Sequence, residues 1–400
     1  MTGNYIVVHG GAGYHRESSE SSVKRALRRA CKRASRGSSS AAVELVEDAV
    51  STLEDDPCLN AGFGSNLTLQ GTVECDASIM DGARNAFGSV GATAGIKNPI
   101  RLARSVLEHS QILDPLGRTP PLTLVSPGAN LFAEHHLDRR YIVDPTSLAS
   151  QQAVENWKSW IANLNQATQG LEVINRKKLH DVQDTVGAIA WCGPSDIAAG
   201  VSSGGLLLKH SGRIGEAAVY GAGCWAQRGE AVIDGRTLVR GIACSVSGIA
   251  GPIAFLLLFT SVSGAGENII KSSLAKLIGK TTGDALSSNQ DIHNALEKVL
   301  TVDLYDACKE SWEQNPKAGI ILLTVEDEGK SRSGMFYIFF EDDVPDTLVV
   351  RLWCAFTTAS MAIAYISPSN PNPKSLVLRR PREKDAGCKR PLVYITAWSL

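Results

Sequence analysis

The stretch QDTVG, with Asp184 and Thr185 at its centre, lies where a polar, Gln- and Lys-rich segment gives way to an apolar run. A threonine hydroxyl is a poor nucleophile without a base, and the α-amino group of the same residue becomes that base once the chain is cut before it. That amine has an ordinary pKa near ~8, so a useful fraction is neutral at working pH. The junction therefore suggests self-cleavage between Asp184 and Thr185, although taken alone an Asp-Thr pair before a strand is more often a turn.

Downstream, the stretch VSSGGLLLKHSGRIGE places Ser203 before two glycines and sets Lys209 and Arg213 four residues apart. An arginine among glycine turns can hold a carboxylate through two hydrogen bonds, which a lysine cannot reproduce. Solvated cations beside a loop are the alternative, because glycine clusters mark turns more often than sites.

A third stretch, SVSGAGE at 261–267, leads into a helical pattern. Its backbone N–H groups and serine hydroxyl are suited to hold a developing oxyanion, whereas Glu267 by itself reads as a first-turn helix residue. The tetrapeptide SVSG also occurs at 245–248, and the two copies bracket an apolar run. We interpret 249–263 as an insertion rather than a repeat, since repeat architectures need a sustained period of about 20 to 50 residues.

Short strands and amphipathic helices must position these stretches. YIVVHGGAG predicts a strand that enters a glycine turn, and helical spacing of apolar residues recurs over 22–55 and 101–136. Residues 140–183 lack a clear pattern and are expected to form an exposed flexible loop, with a helix around Trp157 to Leu164. After it we expect strands in TVGAIAWC and DIAAGVSSGG, two helical stretches, GENIIKSSLAKLIG and DIHNALEKVLTVDLYDACKESW, and strands in GIILLTVED, GMFYIFFE, TLVVRLWCAF and MAIAYIS. Strands, helices and strands in each half indicate sheets sandwiched by helices. The tail from about 382 is uninformative.

Composition excludes several partner classes. With a net charge of -1 over 400 residues, the chain offers no broad field for nucleic acid or an anionic membrane. The most apolar window, 249–259, is too short to span a bilayer, and the start of the chain lacks a secretory pattern. Nine cysteines without CxxC pairs indicate a reducing compartment. No zinc spacing and no P-loop is present, so we expect no cofactor and no metal.

Nine stretches that run in order over most of residues 5–365 resemble one family: VVHGGAGYH, NAGFGSNL, ECDASIMDG, VGATAGIKNP, DTVGA, VSSGGLLLKHSGRIG, GAGCWA, SGAGE and LWCAFTTASM. They are similar to the threonine aspartases, which belong to the plant-type asparaginase group of N-terminal nucleophile (Ntn) hydrolases. The resemblance implies an α+β fold, a four-layer αββα sandwich formed by one domain over 1–400. It also implies self-cleavage into an α subunit, 1–184, and a β subunit, 185–400, which stay together as a heterodimer or as a dimer of heterodimers.

The same resemblance assigns roles to individual residues. Thr185 is the implied nucleophile after cleavage from Asp184, assisted by a hydrogen bond from Ser203. The implied oxyanion hole is Ser263 with Gly264; Ser247 with Gly248, in the first SVSG copy, is the alternative, but that copy lacks the glutamate that follows the second. The substrate-binding residues expected in the pocket are Arg213, Lys209, Glu216 and Gly266.

The implied activity is that of an endopeptidase that cuts after Asp inside protein substrates with an internal Asp-Gly site, with nuclear transcription regulators as substrates. Relatives that act on asparagine or isoaspartyl dipeptides carry Asp where this chain has Glu216. The longer Glu216 side chain weakens the expected recognition of a small substrate's amino group without excluding it, so action on small amides is an alternative. A catalytically inactive homologue that binds partners is another. We expect the protein in the nucleus and cytoplasm and not secreted, although the basic run NRKK at 175–178 reads equally well as a solvated loop.

Overall fold

The computed structural model describes residues 3–37, 41–168, 185–193, 196–233, 236–248, 265–288, 290–308, 317–327, 348–381 and 392–400. Within these residues the helices are α1 (Glu17–Arg36), α2 (Ala42–Glu54), α3 (Pro99–His109), α4 (Gly128–His136), α5 (Gln151–Thr168), α6 (Ala265–Ser272), α7 (Leu274–Ser287), α8 (Ile292–Lys298) and α9 (Leu304–Ala307). A π-helical segment, Val299–Asp303, joins α8 to α9.

Thirteen strands form two sheets in the described part of the chain. The strands are β1 (Asn4–Gly13), β2 (Cys75–Asp81), β3 (Ala86–Thr93), β4 (Thr123–Val125), β5 (Val186–Cys192), β6 (Asp196–Ser203), β7 (Cys224–Ile233), β8 (Arg236–Ser247), β9 (Gly319–Asp327), β10 (Leu348–Phe356), β11 (Ser360–Ser367), β12 (Asn370–Arg379) and β13 (Tyr394–Ser399). One sheet has the order β12-β11-β1-β5-β6-β2-β3-β4 and the other the order β13-β10-β9-β8-β7. Pairing is antiparallel except between β3 and β4.

The two sheets pack face to face and helices cover their outer faces. Along β1, Ile6 and Val8 lie in the core under α1, α2 and α3, whereas Val7 lies in the core shared with the second sheet and with α7 and α8. Successive side chains of a strand point to opposite faces, so this alternation marks β1 as a strand buried on both sides. The arrangement is a four-layer αββα sandwich, which confirms the expected α+β fold.

Local sequence explains the helices that hold the sheet in place. Helix α1 buries one apolar stripe, which includes Val23, Leu27 and Ala30, and leaves its basic face in solvent. Helix α3 begins at Pro99, a position where the missing N–H of proline costs no helical hydrogen bond. None of the helices in the described ranges has the length and apolarity needed to span a bilayer.

The segment 140–183 differs in part from the expected exposed loop. Residues 151–168 form α5, because Ala153, Val154 and Trp157 pack in a small core with Leu67 and Val73. The Trp157 indole Nε1 also donates to the Thr68 carbonyl at 2.9 Å. The helix expected around Trp157 is therefore confirmed and is longer than the sequence indicated.

Other expectations for chain segments have mixed outcomes. The tail, which carried no signal, adds β13 to the edge of the second sheet. The expected strand in GMFYIFFE, the basic run at 175–178 and the interpreted insertion at 249–263 lie outside the described residues.

Candidate active site

Thr185 lies immediately before β5, near the middle of the larger sheet, where β5 pairs with β1 on one side and β6 on the other. The residue is 3% exposed. An apolar strand buried on both faces fixes the main chain that follows Thr185, so the position of its hydroxyl is set by the core. Asp184, the other half of the predicted cleavage junction, lies outside the described residues.

Two side chains contact the Thr185 hydroxyl. Oγ1 donates to Glu216 Oε1 at 2.5 Å and lies 3.0 Å from Ser203 Oγ. Ser203 ends β6, and its Oγ in turn accepts a hydrogen bond from the Gly205 N–H at 3.0 Å. The structure thus brings the predicted nucleophile and the predicted assisting serine together, with Glu216 as a third member.

Glu216 begins a single 3₁₀ turn, Glu216–Ala218, and is 4% exposed. Burial raises the pKa of its carboxyl, while the Thr185 hydrogen bond and the nearby Arg213 guanidinium act in the opposite direction and Asp76 adds to the rise. A carboxylate in a low-dielectric site is a stronger base than one in water. Glu216 therefore combines contact with the nucleophile and raised basicity.

Arg213 and Lys209 converge on the bare face of Gly205. A Cβ added to Gly205 would lie 3.1 Å from Lys209 Nζ and 3.3 Å from Arg213 Nη1, and its φ of +67° also favours glycine. Lys209 Nζ donates to the Glu74 carbonyl at 2.6 Å, whereas Arg213 uses Nε and Nη2 to bind Glu267 Oε1 at 3.0 and 2.6 Å. The two cationic side chains therefore lie side by side next to Ser203, and we call this pair the Lys209–Arg213 cradle.

Gly266, in the first turn of α6, closes the pocket on the side of Glu216. A Cβ at this position would lie 2.6 Å from Glu216 Oε2 and 3.1 Å from Arg213 Nη2. The predicted site residues Thr185, Ser203, Lys209, Arg213, Glu216 and Gly266 are therefore neighbours in one pocket. Their individual roles stay predictions.

The structure adds residues that the sequence did not single out. Asp76 on β2 accepts from the Gly215 N–H at 2.7 Å and from the Ala92 N–H at 2.8 Å, which fixes the main chain before Glu216. The main-chain carbonyl of Asn60 accepts from the Gly204 N–H, and its side-chain Nδ2 donates to the Gly205 carbonyl, both at 2.9 Å. Both Asn60 and Asp76 lie in stretches that carry the family resemblance, NAGFGSNL and ECDASIMDG, and this was the available signal.

His9 supports the strand that follows Thr185. It pairs with Gly187 across β1 and β5, and its Nε2 lies 2.8 Å from Ser245 Oγ. Complete burial lowers the pKa of the imidazole to about 3, with the main chain of Thr185 opposing this effect, so His9 is neutral at working pH. A Cβ on Gly187 would lie 2.5 Å from His9 Nε2 and 2.1 Å from Ser245 Oγ, which explains the glycine in QDTVG.

The structure describes the first SVSG copy but not the second. Ser263 and Gly264 lie outside the described residues, and their oxyanion role stays a prediction. In the first copy, Ser247 ends β8, is buried, and accepts from the Ala12 N–H at 3.2 Å through Oγ. Because β1 passes Thr185 between His9 and Ala12, β8 ends at the same edge of the sandwich as the nucleophile. The oxyanion role of the alternative pair, Ser247 with Gly248, also stays a prediction.

Among the residues that the structure describes, no group of three or more His, Cys, Asp or Glu side chains is arranged to hold a metal ion. Hydrogen bonds link Thr185 to Glu216 and Ser203, and Arg213 to Glu267. The pocket is suited to nucleophilic chemistry on a substrate that carries a carboxylate.

The fold and the site together define a class. A four-layer αββα sandwich with a buried hydroxyl at the start of a central strand is the arrangement of an N-terminal nucleophile hydrolase. Comparison with known sequences agrees: the family model described as Asparaginase matches residues 2–235.

Curated relatives extend the match along the chain. A plant-type L-asparaginase of Pyrococcus horikoshii is 36% identical over 335 residues, 79% of this chain and 99% of its own length. That of Pyrococcus furiosus is 34% identical over 308 residues, 74% and 83% respectively. An isoaspartyl peptidase/L-asparaginase of Danio rerio is 33% identical over 346 residues, 83% and 95%. The chain belongs to the asparaginase family of Ntn hydrolases; the names of these relatives do not single out the threonine aspartases.

Proposed function

We propose that the protein is a self-processing threonine hydrolase in which Thr185 attacks an amide of an aspartate-type substrate. The observation that carries the proposal is the buried Thr185 hydroxyl, 2.5 Å from Glu216 and 3.0 Å from Ser203, beside the cradle formed by Lys209 and Arg213. Cleavage before Thr185 frees its α-amino group, and this amine is the base for turnover.

Turnover then follows from the positions of these groups. The free amine takes the Oγ1 proton, Oγ1 bonds to the substrate carbonyl carbon, and the leaving amine departs with the proton. Ser247 with the Gly248 N–H, or Ser263 with Gly264, stabilises the negative oxygen of the tetrahedral intermediate. Water then cleaves the ester on Thr185 and restores the hydroxyl.

The cradle defines the acid part of the substrate. In an aspartyl peptide and in an asparaginyl or isoaspartyl amide alike, two carbons separate the attacked carbonyl from a free carboxylate. Arg213 and Lys209 can hold that carboxylate while Thr185 attacks the other end. The two substrate classes differ in the position of the amino group, which is adjacent to the carboxylate in the second class only.

Small β-aspartyl amides are the substrate class that the comparisons support, because the named relatives are asparaginases and isoaspartyl peptidases. In this reading Glu216 holds the free ammonium group of the substrate.

A specific observation favours the second candidate, an endopeptidase that cuts protein substrates after Asp. One oxygen of the Glu216 carboxylate accepts a hydrogen bond from Thr185, and Gly266 packs against the other. The next two residues, Ala217 and Ala218, are buried. A substrate ammonium would have to displace the nucleophile from this carboxylate, whereas an internal aspartate has no ammonium to place. Nuclear substrates and a nuclear location belong to this candidate.

One assay separates the candidates. Purified full-length protein is incubated with asparagine, with an isoaspartyl dipeptide and with a peptide that carries an internal Asp-Gly, and the released amines are measured. Hydrolysis of the first two alone supports the small-amide enzyme, and cleavage of the third alone supports the endopeptidase. A protein that stays one chain and acts on none of them contradicts the proposed hydrolase and indicates an inactive homologue. A tagged protein excluded from nuclei would remove the nuclear location.

A further inference from the structure

The first cleavage poses a problem that turnover does not. While the chain is continuous, the Thr185 nitrogen belongs to a peptide bond, and an amide nitrogen is not a base. The amine that activates Thr185 during turnover therefore does not yet exist. Another group must accept the Oγ1 proton when the chain first cuts itself.

The described neighbours of Thr185 leave one proton acceptor. Ser203 is a hydroxyl and is not a base near neutral pH. The His9 imidazole faces Ser245 and the main chain of Thr185, and Lys209 donates to the Glu74 carbonyl. Glu216 Oε1, 2.5 Å from Oγ1, is the ionisable oxygen that the described structure places in contact with the nucleophile.

We propose that the Glu216 carboxylate is the general base of the self-cleavage step, an inference that rests on the proposed self-processing function. Glu216 Oε1 takes the Oγ1 proton while Oγ1 bonds to the carbonyl carbon of the preceding residue. The bond from that carbon to the Thr185 nitrogen breaks, and the nitrogen leaves as an amine with the proton returned by Glu216. Water adds to the resulting ester, which frees the new carboxyl group and restores the hydroxyl, so one water is consumed for the peptide bond broken.

The pocket holds this carboxylate in place for the task. Asp76 on β2 fixes the Gly215 N–H, one residue before Glu216, and Gly266 of α6 leaves room for Oε2 and no more. The charged groups that face Glu216 are Arg213 on its own loop and Asp76 on β2, and Glu267 of α6 pairs with Arg213. Arg213 favours the ionised form that accepts a proton, whereas burial makes that form a stronger base.

The inference assigns Glu216 two successive roles. In the continuous chain it accepts the proton from Thr185, and afterwards the new amine takes over that task at the same place. Glu216 is then left to contact the amine or the substrate. A position that only holds substrate would not affect the rate of the first cleavage.

The test is a time course of self-cleavage in full-length chain made by cell-free synthesis and resolved on a denaturing gel. Glu216→Gln keeps the shape and the hydrogen-bond acceptor but not the basicity, and it is expected to slow cleavage about 100-fold or more. The wild-type rate should rise with pH through the ionisation of Glu216, and the Gln variant should lose this rise. Glu54→Gln, which changes a buried carboxylate that does not contact Thr185, is the matched control and should cleave at the wild-type rate.

Glu216→Ala with added formate or acetate separates a base from a structural role. The small carboxylate should restore cleavage in a concentration-dependent way if a base is what the variant lacks. Cleavage of Glu216→Gln at the wild-type rate would overturn the inference. So would a Glu216→Ala chain that folds, as judged by circular dichroism, and is not rescued. If the wild-type chain itself stays whole, the proposed self-processing fails instead, which the wild-type lane shows independently.

Discussion

Two buried carboxylates lie on opposite faces of the strand β6. Ser202 and Ser203 are consecutive on this strand, so their side chains point to opposite faces. Glu216 lies on the face of Ser203, beside Thr185. Glu54, at the end of α2, lies on the face of Ser202. Burial raises the pKa of both carboxyls, that of Glu54 to about 8. Only Glu216 contacts a nucleophile and has a guanidinium nearby.

Glu54 shows what burial does without a reacting partner. Its Oε1 accepts from the Ile100 N–H at 3.0 Å, whereas Oε2 and the buried Ser202 Oγ have no hydrogen bond of normal geometry to a described residue. The loss of hydration on burial outweighs the polar neighbours Ser202, Ile100 and Asn98, which favour the ionised form, so the neutral acid is favoured at this site. A raised pKa therefore marks burial in both places, and the contact with Thr185 is what distinguishes the candidate active site.

The largest effect on activity is expected from a substitution of Thr185, on the Glu216 face of β6. Thr185→Ala removes the nucleophile and should abolish both self-cleavage and turnover while the thermal unfolding midpoint changes little. Thr282→Ala is the matched control, because Thr282 is a buried threonine of α7 whose hydroxyl has no hydrogen-bond partner among the described residues. Gel analysis and substrate assays on both variants check this; turnover in Thr185→Ala would refute the assigned nucleophile.

The next largest effect on kcat is expected from the serine of one of the two SVSG copies. Ser247→Ala should lower kcat about 100-fold by removing a hydroxyl at the nucleophile's edge of the sandwich, whereas Ser263→Ala should leave kcat near the wild-type value. The Ser247 hydroxyl accepts from the Ala12 N–H, so its own proton remains to be donated to a developing oxyanion. Steady-state kinetics on both variants decide; the reverse order of effects would restore the second copy as the oxyanion hole.

A smaller loss is expected from Arg213→Lys. Arg213 binds Glu267 through Nε and Nη2, and its Nη1 lies near Gly205. A lysine keeps the charge but lacks this planar set of donors, so kcat/KM should fall about 10-fold, chiefly through a higher KM. Arg118→Lys, in an exposed ion pair with Asp114, is the control and should match the wild type. An unchanged KM in Arg213→Lys would argue against carboxylate binding by this residue.

The smallest effect on activity, and the clearest on stability, is expected on the Glu54 side. The folded pKa of about 8 lies above the ordinary value of 4.5, so the wild type loses stability as pH rises between these values. The slope is about 1.4 kcal/mol per pH unit, and Glu54→Gln should remove it, gaining several kcal/mol over the wild type at about pH 8.5. Denaturant unfolding at about pH 5 and about pH 8.5, in a Thr185→Ala background that keeps one chain, measures this. Parallel pH profiles of the two proteins would show that Glu54 is ionised in the folded state.

The strand and helix patterns predicted sheets sandwiched by helices, and the family resemblance implied the αββα architecture and the stretches that meet at the pocket. The sequence did not predict the contact between Thr185 and Glu216, which are 31 residues apart and meet only because a 3₁₀ turn aims the carboxylate inward. The burial of Glu54 was not predicted either, because the sequence at the end of α2 is typical of an ordinary helix. Helix α5 was underestimated because its buried side is small and made by a loop partner, Leu67 with Val73.

The intact mass and N-terminal sequence of purified wild-type protein test the central claim most directly. Two chains, of which the second begins with Thr185 and carries a free α-amino group, are the predicted result. A single uncut chain of 400 residues that hydrolyses aspartyl or asparaginyl amides at full rate would contradict the account, because its Thr185 would have no amine to act as base.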